Sequence, residues 1–261
     1  MKKIIALLAA VGTAGMLSAQ VTFGIGARGT FGFGLGATLS GDYLDDDETT
    51  SVQPFKSFLA GGALVGRLGF DAVPGLFIQP EIGFTHTQIS YKTEYDYSYT
   101  LLGVKETIEY EYESSFGFNA IDIPIIVGYD VSLNSGVVIS PFAGLNLSIP
   151  VGSISQSGGG SYTVTETTTY ADGHTTTNKY KENDGDGNYS IDTKTTLVPG
   201  VLFGVGVGYK FDDHNMIMGD LRYLLDFTPV QAEFNFLGAS FDWDVATRRG
   251  LQIGVNYVYF F

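Results

Sequence analysis

Residues 21–37, VTFGIGARGTFGFGLGA, alternate with a period of two. Phe23, Ile25, Ala27, Phe31, Phe33 and Leu35 fall on one face. Thr22, Gly24, Gly26, Arg28, Thr30, Gly32, Gly34 and Gly36 fall on the other. Successive side chains of a strand point to opposite sides, whereas a helix repeats about every 3.6 residues, so this spacing predicts a strand. The last residues, GLQIGVNYVYFF, repeat the pattern. Leu251, Ile253, Val255, Tyr257, Tyr259 and Phe261 share a face opposite Gln252, Gly254 and Asn256.

Six further runs lie between these ends, at 58–70, 76–91, 116–129, 137–149, 197–211 and 217–227. In most of them apolar residues alternate with small or polar ones; in 58–70 both faces are rather apolar and Arg67 sets the phase. The eight runs are joined by connections that are long, short, long, short, long, short and long. The short ones, 71–75, about 132–136 and 212–215, hold the turn formers DAVPG, SLNSG and DDHN. The long ones are 39–57, about 92–115, about 150–196 and 228–248. A soluble sandwich has no reason to put every long loop at one end. An outer-membrane barrel does, with short periplasmic turns, long external loops and an even strand count. The expected fold is therefore all-β: an eight-stranded antiparallel transmembrane β-barrel. Lipid leaves no partner for an unpaired N–H or C=O, so the first and last strands must pair. Eight strands enclose an interior that side chains can fill.

Charge and composition agree. The chain carries 14 Lys+Arg against 28 Asp+Glu, with 16% charged and 44% hydrophobic residues. That acidity argues against nucleic acid as a partner, because phosphate binding needs a basic surface. The absence of Cys excludes disulfides, thiolate chemistry and Cys-ligated zinc. Many acids sit in the long connections: Asp45, Asp46, Asp47 and Glu48, then Glu106, Glu109, Glu111 and Glu113, then Asp184 and Asp186. The apolar faces stay nearly free of charge, as lipid requires; a charge at the bilayer midplane costs about 2–4 kcal/mol.

The N-terminus is read as a cleaved signal, residues 1–19. Lys2 and Lys3 precede an apolar run from Ile4 to Leu17, and Ala19 stands at the cleavage point. The run is shorter than the ~20 residues of a spanning helix. Its removal leaves 12 basic against 28 acidic residues, a charge of −16. The barrel domain is then 20–261.

Several segments resemble the PorT-like outer-membrane β-barrel domain family. They are FLAGGALVGRLGFDAVPGLFIQPEIGFTHTQ at 58–88, with its Gln79-Pro80-Glu81, IDIPIIVGY at 121–129, GDLRYLLDF at 219–227, and the terminal-Phe strand. The resemblance spans most of 20–261, and the third long loop is larger than the family leads one to expect. It implies a small barrel in the outer membrane of a diderm bacterium, and it speaks to fold and location, not to activity. One branch of the family resembles components of a secretion system. By the same resemblance the C-terminal aromatics Tyr257, Tyr259 and Phe261 form a signal read by the barrel-assembly machinery.

The candidate site is a lumen charge network of Arg28, Arg67, Glu81, Asp122, Asp220 and Arg222, all in the inner phase. The turn near Val73 sets Arg67 opposite Gln79 and diagonal to Glu81. Such a set reads as a charge-balanced plug, with a substrate path or gate as the sharper reading. His86, His174 and His214 lie in separate strand ends and turns, so the sequence shows no metal cluster, triad or enzyme site, and no cofactor is expected. ENDGDGN at 182–188 is similar to a calcium loop but has Thr193 or Thr195 where the bidentate Glu should stand. TVTETTTYADGHTTTNKYK reads as a Thr-rich hairpin extending the fifth and sixth strands above the membrane. Two functions remain: a monomeric structural or surface-interaction barrel, meeting a surface or secretion-system partner through its loops, or a narrow OmpW-like channel for small solutes. A soluble lipocalin-like carrier is opposed by the outward aromatics and the terminal Phe.

Overall fold

In a computed structural model of the chain, the described residues are 21–36, 48–52, 57–101, 104–133, 135–157, 161–170, 172–183, 189–236 and 239–261. The expected signal at 1–19, the run Asp45-Asp46-Asp47, and Asp184 to Asn188 of ENDGDGN lie outside them.

Among the described residues fifteen strands are numbered in chain order. Eight build the barrel: β1 (Val21–Gly36), β3 (Phe58–Phe70), β4 (Leu76–Leu101), β5 (Val104–Tyr129), β7 (Val137–Ser157), β11 (Val198–Lys210), β12 (Asn215–Asp226) and β15 (Arg249–Phe260). Seven shorter ones are β2 (Glu48–Val52), β6 (Val131–Ser132), β8 (Ser161–Thr169), β9 (Thr175–Asn183), β10 (Tyr189–Thr193), β13 (Val230–Phe236) and β14 (Ala239–Ala246).

Each barrel strand pairs antiparallel with the next. β15 then pairs with β1 from Gly24↔Phe260 to Gly36↔Arg249, which closes the ring. Closure satisfies the ladder of every spanning strand and leaves no edge in lipid. No helix among the described residues is long and apolar enough to cross a membrane.

The outer face is apolar. Ile25, Leu64, Ile82, Ile125, Val127, Leu145, Val205, Val207, Ile253 and Val255 are exposed. Aromatic side chains ring the short-turn end, with Phe23, Tyr129, Tyr209, Phe211, Tyr257, Tyr259 and Phe261 all exposed, as in the girdles that mark a membrane interface. The inner face holds two apolar clusters. Leu59, Phe77, Ile126, Phe142, Leu202 and Leu224 form one. Val65, Met216, Met218, Val258 and Phe260 form the other, toward the short turns. Strand β3, whose phase the sequence left to Arg67, turns Leu59, Val65 and Arg67 inward and Leu64 outward.

Two of the long connections differ from expectation. The Thr-rich hairpin forms, with Ser161↔Asn183 to Thr169↔Thr175 paired about a tight turn in which Gly173 has φ +83°. It does not simply prolong β7 and β11: β8 adds to the side of β5, Thr165–Thr169 against Lys105–Glu109. The reason is the length of β5, whose ladder with β4 runs from Leu76↔Tyr129 up to Leu101↔Val104 and offers its free side to the next segment. The connection 228–248 is also a hairpin, β13 with β14, joined to β7 through β10. Its apolar residues fold into the barrel mouth, which the sequence reading had treated as loop.

Candidate functional site

Arg28 on β1 shares the inward phase of Gly26 and Gly32 on the same strand, and Asp220 and Arg222 on β12 share that of Gly204 and Gly206, their register partners on β11. Arg222 donates two hydrogen bonds to Glu81, Nη1 to Oε2 at 2.9 Å and Nη2 to Oε1 at 2.8 Å. Its Nε donates to Asp220 Oδ1 at 2.8 Å. Arg28 grips the same Asp220 with Nε at 3.1 Å and Nη2 at 2.9 Å, and Asn256 Nδ2 donates to it at 3.1 Å. Paired N–H donors on one carboxylate fix both partners in orientation. Gly254 makes room for this: a Cβ there would sit 2.3 Å from Arg28 Nη2 and 2.5 Å from Nε.

Toward the short turns, Gln79 Nε2 donates to Glu81 Oε1 at 2.6 Å, and Gln79 Oε1 accepts from Arg67 Nη1 at 2.8 Å. Arg67 Nη2 reaches Asp130 at 2.6 Å, and Ser140 Oγ donates to the same carboxylate at 2.6 Å. The Arg67 guanidinium lies 3.6 Å over the Phe77 ring. A Cβ at Gly128 would lie 2.3 Å from that ring, so glycine is required there. Toward the mouth, Arg248 Nη2 donates to Asp122 Oδ1 at 2.8 Å and Nε donates to Asp226 Oδ2 at 2.6 Å. Thr85 Oγ1 and Asn146 Nδ2 also donate to Asp122.

All six residues proposed from the sequence are buried inside the barrel. Arg28, Glu81, Asp220 and Arg222 form one ion-paired group, and Arg67 joins it through Gln79. Asp122 belongs to a separate group nearer the mouth. The sequence reading missed Arg248, Asp226 and Asp130 as members. The signal was phase: Asp226 follows Asp220 and Arg222 at even spacing, Asp130 follows Asp122 on β5, and Arg248 precedes Gly250, Gln252 and Gly254. Among the described residues four guanidiniums (Arg28, Arg67, Arg222, Arg248) face five carboxylates (Glu81, Asp122, Asp130, Asp220, Asp226), and Asp226 Oδ1 is buried without a hydrogen bond.

Above this network, apolar side chains pack together at the barrel mouth. Ile89, Phe116, Phe118, Ile154 and Val198 of the barrel wall pack with Val230, Ala232, Val245 and Ala246 of the β13–β14 hairpin. Below it, between the short turns, a cavity of 650 Å³ opens, lined in part by Arg67, Phe77, Asp130, Lys210, Asp213 and Phe260. Among the described residues the cavity lies at the short-turn end and the apolar cluster at the other.

The three histidines are apart. His86 Nδ1 lies 3.0 Å from Asn119 Oδ1 in the outward phase of β4, and His174 sits at the tip of the β8–β9 hairpin. His214, in the turn before β12, lies 2.9 Å through Nδ1 from the Phe260 carbonyl and stacks on Tyr259. In the same turn Asp212 accepts from the Asn215 side chain and the His214 backbone, which holds its carboxyl below the usual carboxylate range. Among the described residues no group of three or more His, Cys, Asp or Glu is placed to hold a metal ion. Of the C-terminal aromatics, Tyr257 and Tyr259 face outward on β15, and Phe261 stacks on Phe23 of β1 with ring centres 5.7 Å apart.

A closed ring of eight strands, apolar outside and charged inside, is the architecture of an integral outer-membrane β-barrel protein. No protein-family model matches the sequence, and no curated protein matches it. Solved structures do. A major outer membrane protein from Thermus thermophilus is 13% identical, with TM-score 0.45, over 92% of this chain and 99% of that one. Neisserial surface protein A is 13% identical, with TM-score 0.31, over 92% and 98%. Ail, the attachment invasion locus protein of Yersinia pestis, in complex with the heparin analogue sucrose octasulfate, is 10% identical, with TM-score 0.29, over 93% and 99%. At these identities and scores no role passes from those proteins to this chain.

Proposed function

We propose that this barrel serves a structural or surface-interaction role through its long, acidic external segments, and does not conduct solutes. The observation that carries the reading is the packing of the lumen among the described residues. A water path would have to cross the apolar cap of Ile89, Phe116, Phe118 and Val245, then a network whose guanidiniums and carboxylates are already paired. Opening it would strip buried charges of their partners, at several kcal/mol for each broken pair. Planar-bilayer recordings of the refolded protein test this. The expected trace stays at the baseline; discrete ion currents would favour the narrow-channel reading instead.

We further infer that the mature protein begins after Ala19, inserts as a monomer, and is delivered by the barrel-assembly machinery through Tyr257, Tyr259 and Phe261. The support is their spacing at every second position on a strand that stays open until β1 closes on it. The PorT-like resemblance adds a secretion-system component as one form the surface partner could take. Electrophoresis of the native protein in detergent reads the monomer directly, and N-terminal sequencing of membrane-extracted protein reads the cleavage point.

A further inference from the structure

The sheet above the membrane ends in a strand with one neighbour. Among the described residues β9 pairs with β8 and with nothing on its other side. Every second residue of β9 therefore turns its N–H and C=O away from the sheet. Such an edge is a template for another strand, and proteins usually keep it short or disrupt it with proline or a bulge. β9 is nine residues long, contains no proline, and its register with β8 is unbroken from Ser161↔Asn183 to Thr169↔Thr175. Its first part, Thr175, Thr176 and Thr177, is β-branched, a residue type that suits a pleated surface.

The hairpin is tied together by its own side chains and by β5. At the tip, the His174 backbone N–H donates to Asp172 Oδ1 and the Tyr170 and His174 rings lie 6.0 Å apart. Along the strands, Tyr180 Oη donates to Glu166 Oε1 at 2.6 Å. β8 is fastened to β5 in turn. An incoming strand would meet an edge that is already ordered, so less conformational entropy is lost on binding.

Charge selects the occupant. Thr175 through Lys181 are all exposed, and Lys179 and Lys181 project from one face of the strand two residues apart. In a chain with twice as many acids as bases, this is a local basic pair; the strand's one acid, Glu182, falls in the opposite phase. A second copy adding by two-fold pairing centred on Lys179 or Tyr180 would set lysine against lysine, which destabilises a ladder. A strand with carboxylates at alternate positions would gain both the backbone bonds and the two charge pairs.

We propose that the outer edge of β9 captures an extended acidic segment of another protein as an added strand. This rests on the surface-interaction reading above and names its partner class. The experiment uses the full barrel in detergent micelles and two fluorescent synthetic peptides, one alternating threonine with glutamate, the other threonine with lysine. The glutamate peptide is expected to bind saturably and the lysine peptide not to bind. Combining Lys179→Glu with Lys181→Glu should weaken binding by about tenfold or more, since two attractive cross-strand pairs become repulsive. Proline is placed separately at Thr176 and Thr177, one of which turns its N–H outward; one of these variants should lose binding, with heat-modifiable gel mobility confirming a folded barrel. Equal binding of both peptides, or binding undiminished in all the variants, overturns the proposal. So does a wild-type protein that ignores the peptides while the lysine variants self-associate, because the lysines then only guard the edge. A silent barrel that binds no peptide removes this proposal alone, whereas ion currents remove the surface-interaction reading itself.

Discussion

Arg222 inside the barrel and Lys194 above it each pair with an aspartate, and the two pairs mean different things. The Arg222 and Asp220 side chains are 3% and 1% exposed, and Arg222 also holds Glu81 through two further bonds. Lys194 and Asp242 are 37% and 46% exposed and share one contact. Water screens the second pair, and exposed pairs of this kind contribute about 0–1 kcal/mol. Loss of Arg222 would leave the buried Glu81 without its bonded cation and Asp220 with Arg28 alone. The lumen is thus a region where polar groups share several partners away from water, and the Lys194–Asp242 pair is one that water screens.

The largest effect expected from this contrast is at Arg222. Arg222→Met should lower the unfolding free energy in detergent by about 3–5 kcal/mol, because Glu81 and Asp220 lose their shared cation. Pairing it with Glu81→Gln should recover part of the loss, which a double-mutant cycle on urea unfolding would read. If Lys194→Met cost as much as Arg222→Met, the contrast between the two regions would fail.

Next comes the space that the network needs. Gly254→Val places side-chain atoms where the Arg28 guanidinium lies. Overpacking of this sort costs about 1–3 kcal/mol, and the same urea titration should show it. The same change at Gly152, where a Cβ would meet nothing within 4 Å, should act only through its positive φ of 80° and cost less.

Phe261 separates stability from assembly. Phe261 is 68% exposed, and its ring stacks on Phe23. An aromatic pair contributes about 0.5–1.5 kcal/mol, so Phe261→Asp should weaken the refolded barrel only slightly. If the terminal aromatic is also an insertion signal, membrane yield in cells should fall far more than that. Normal insertion combined with easy unfolding in detergent would mark it as a girdle residue alone.

The smallest effect is expected from removing the β8–β9 hairpin. Replacing residues 161–183 with a short glycine–serine link should leave heat-modifiable mobility unchanged, since the barrel ladder and the cap are intact. A cut extended to 155 and 190 would reach further. It removes Ser155, which donates to the Gly117 carbonyl, and comes within one residue of Ile154 and Ile191 of the cap, so a larger loss is expected there.

The barrel itself was readable because a membrane imposes one rule at every spanning residue. Phe23, Ile25, Phe31 and Phe33 had to alternate with Gly24, Gly26, Arg28 and Gly32, since one side meets lipid and the other a narrow lumen. The external segments obey no such rule. Val230, Ala232, Val245 and Ala246 form the cap because they meet Ile89 and Phe116 across the mouth, and nothing in 228–248 alone says that they do. The Thr-rich stretch announced a hairpin through its Asp172-Gly173 turn, but not that β8 would lie along β5.

The sequence by itself determined the number of barrel strands, the direction most of their side chains face and the presence of charge in the lumen, because period two is a local property of the backbone. Only the tertiary structure decided which charges meet. Arg222 and Glu81 are 141 residues apart, and Arg28 and Asp220 are 192 apart. Those pairings depend on how strands slide against one another as the ring closes, and on Gly254 leaving room for a guanidinium, which no single strand contains.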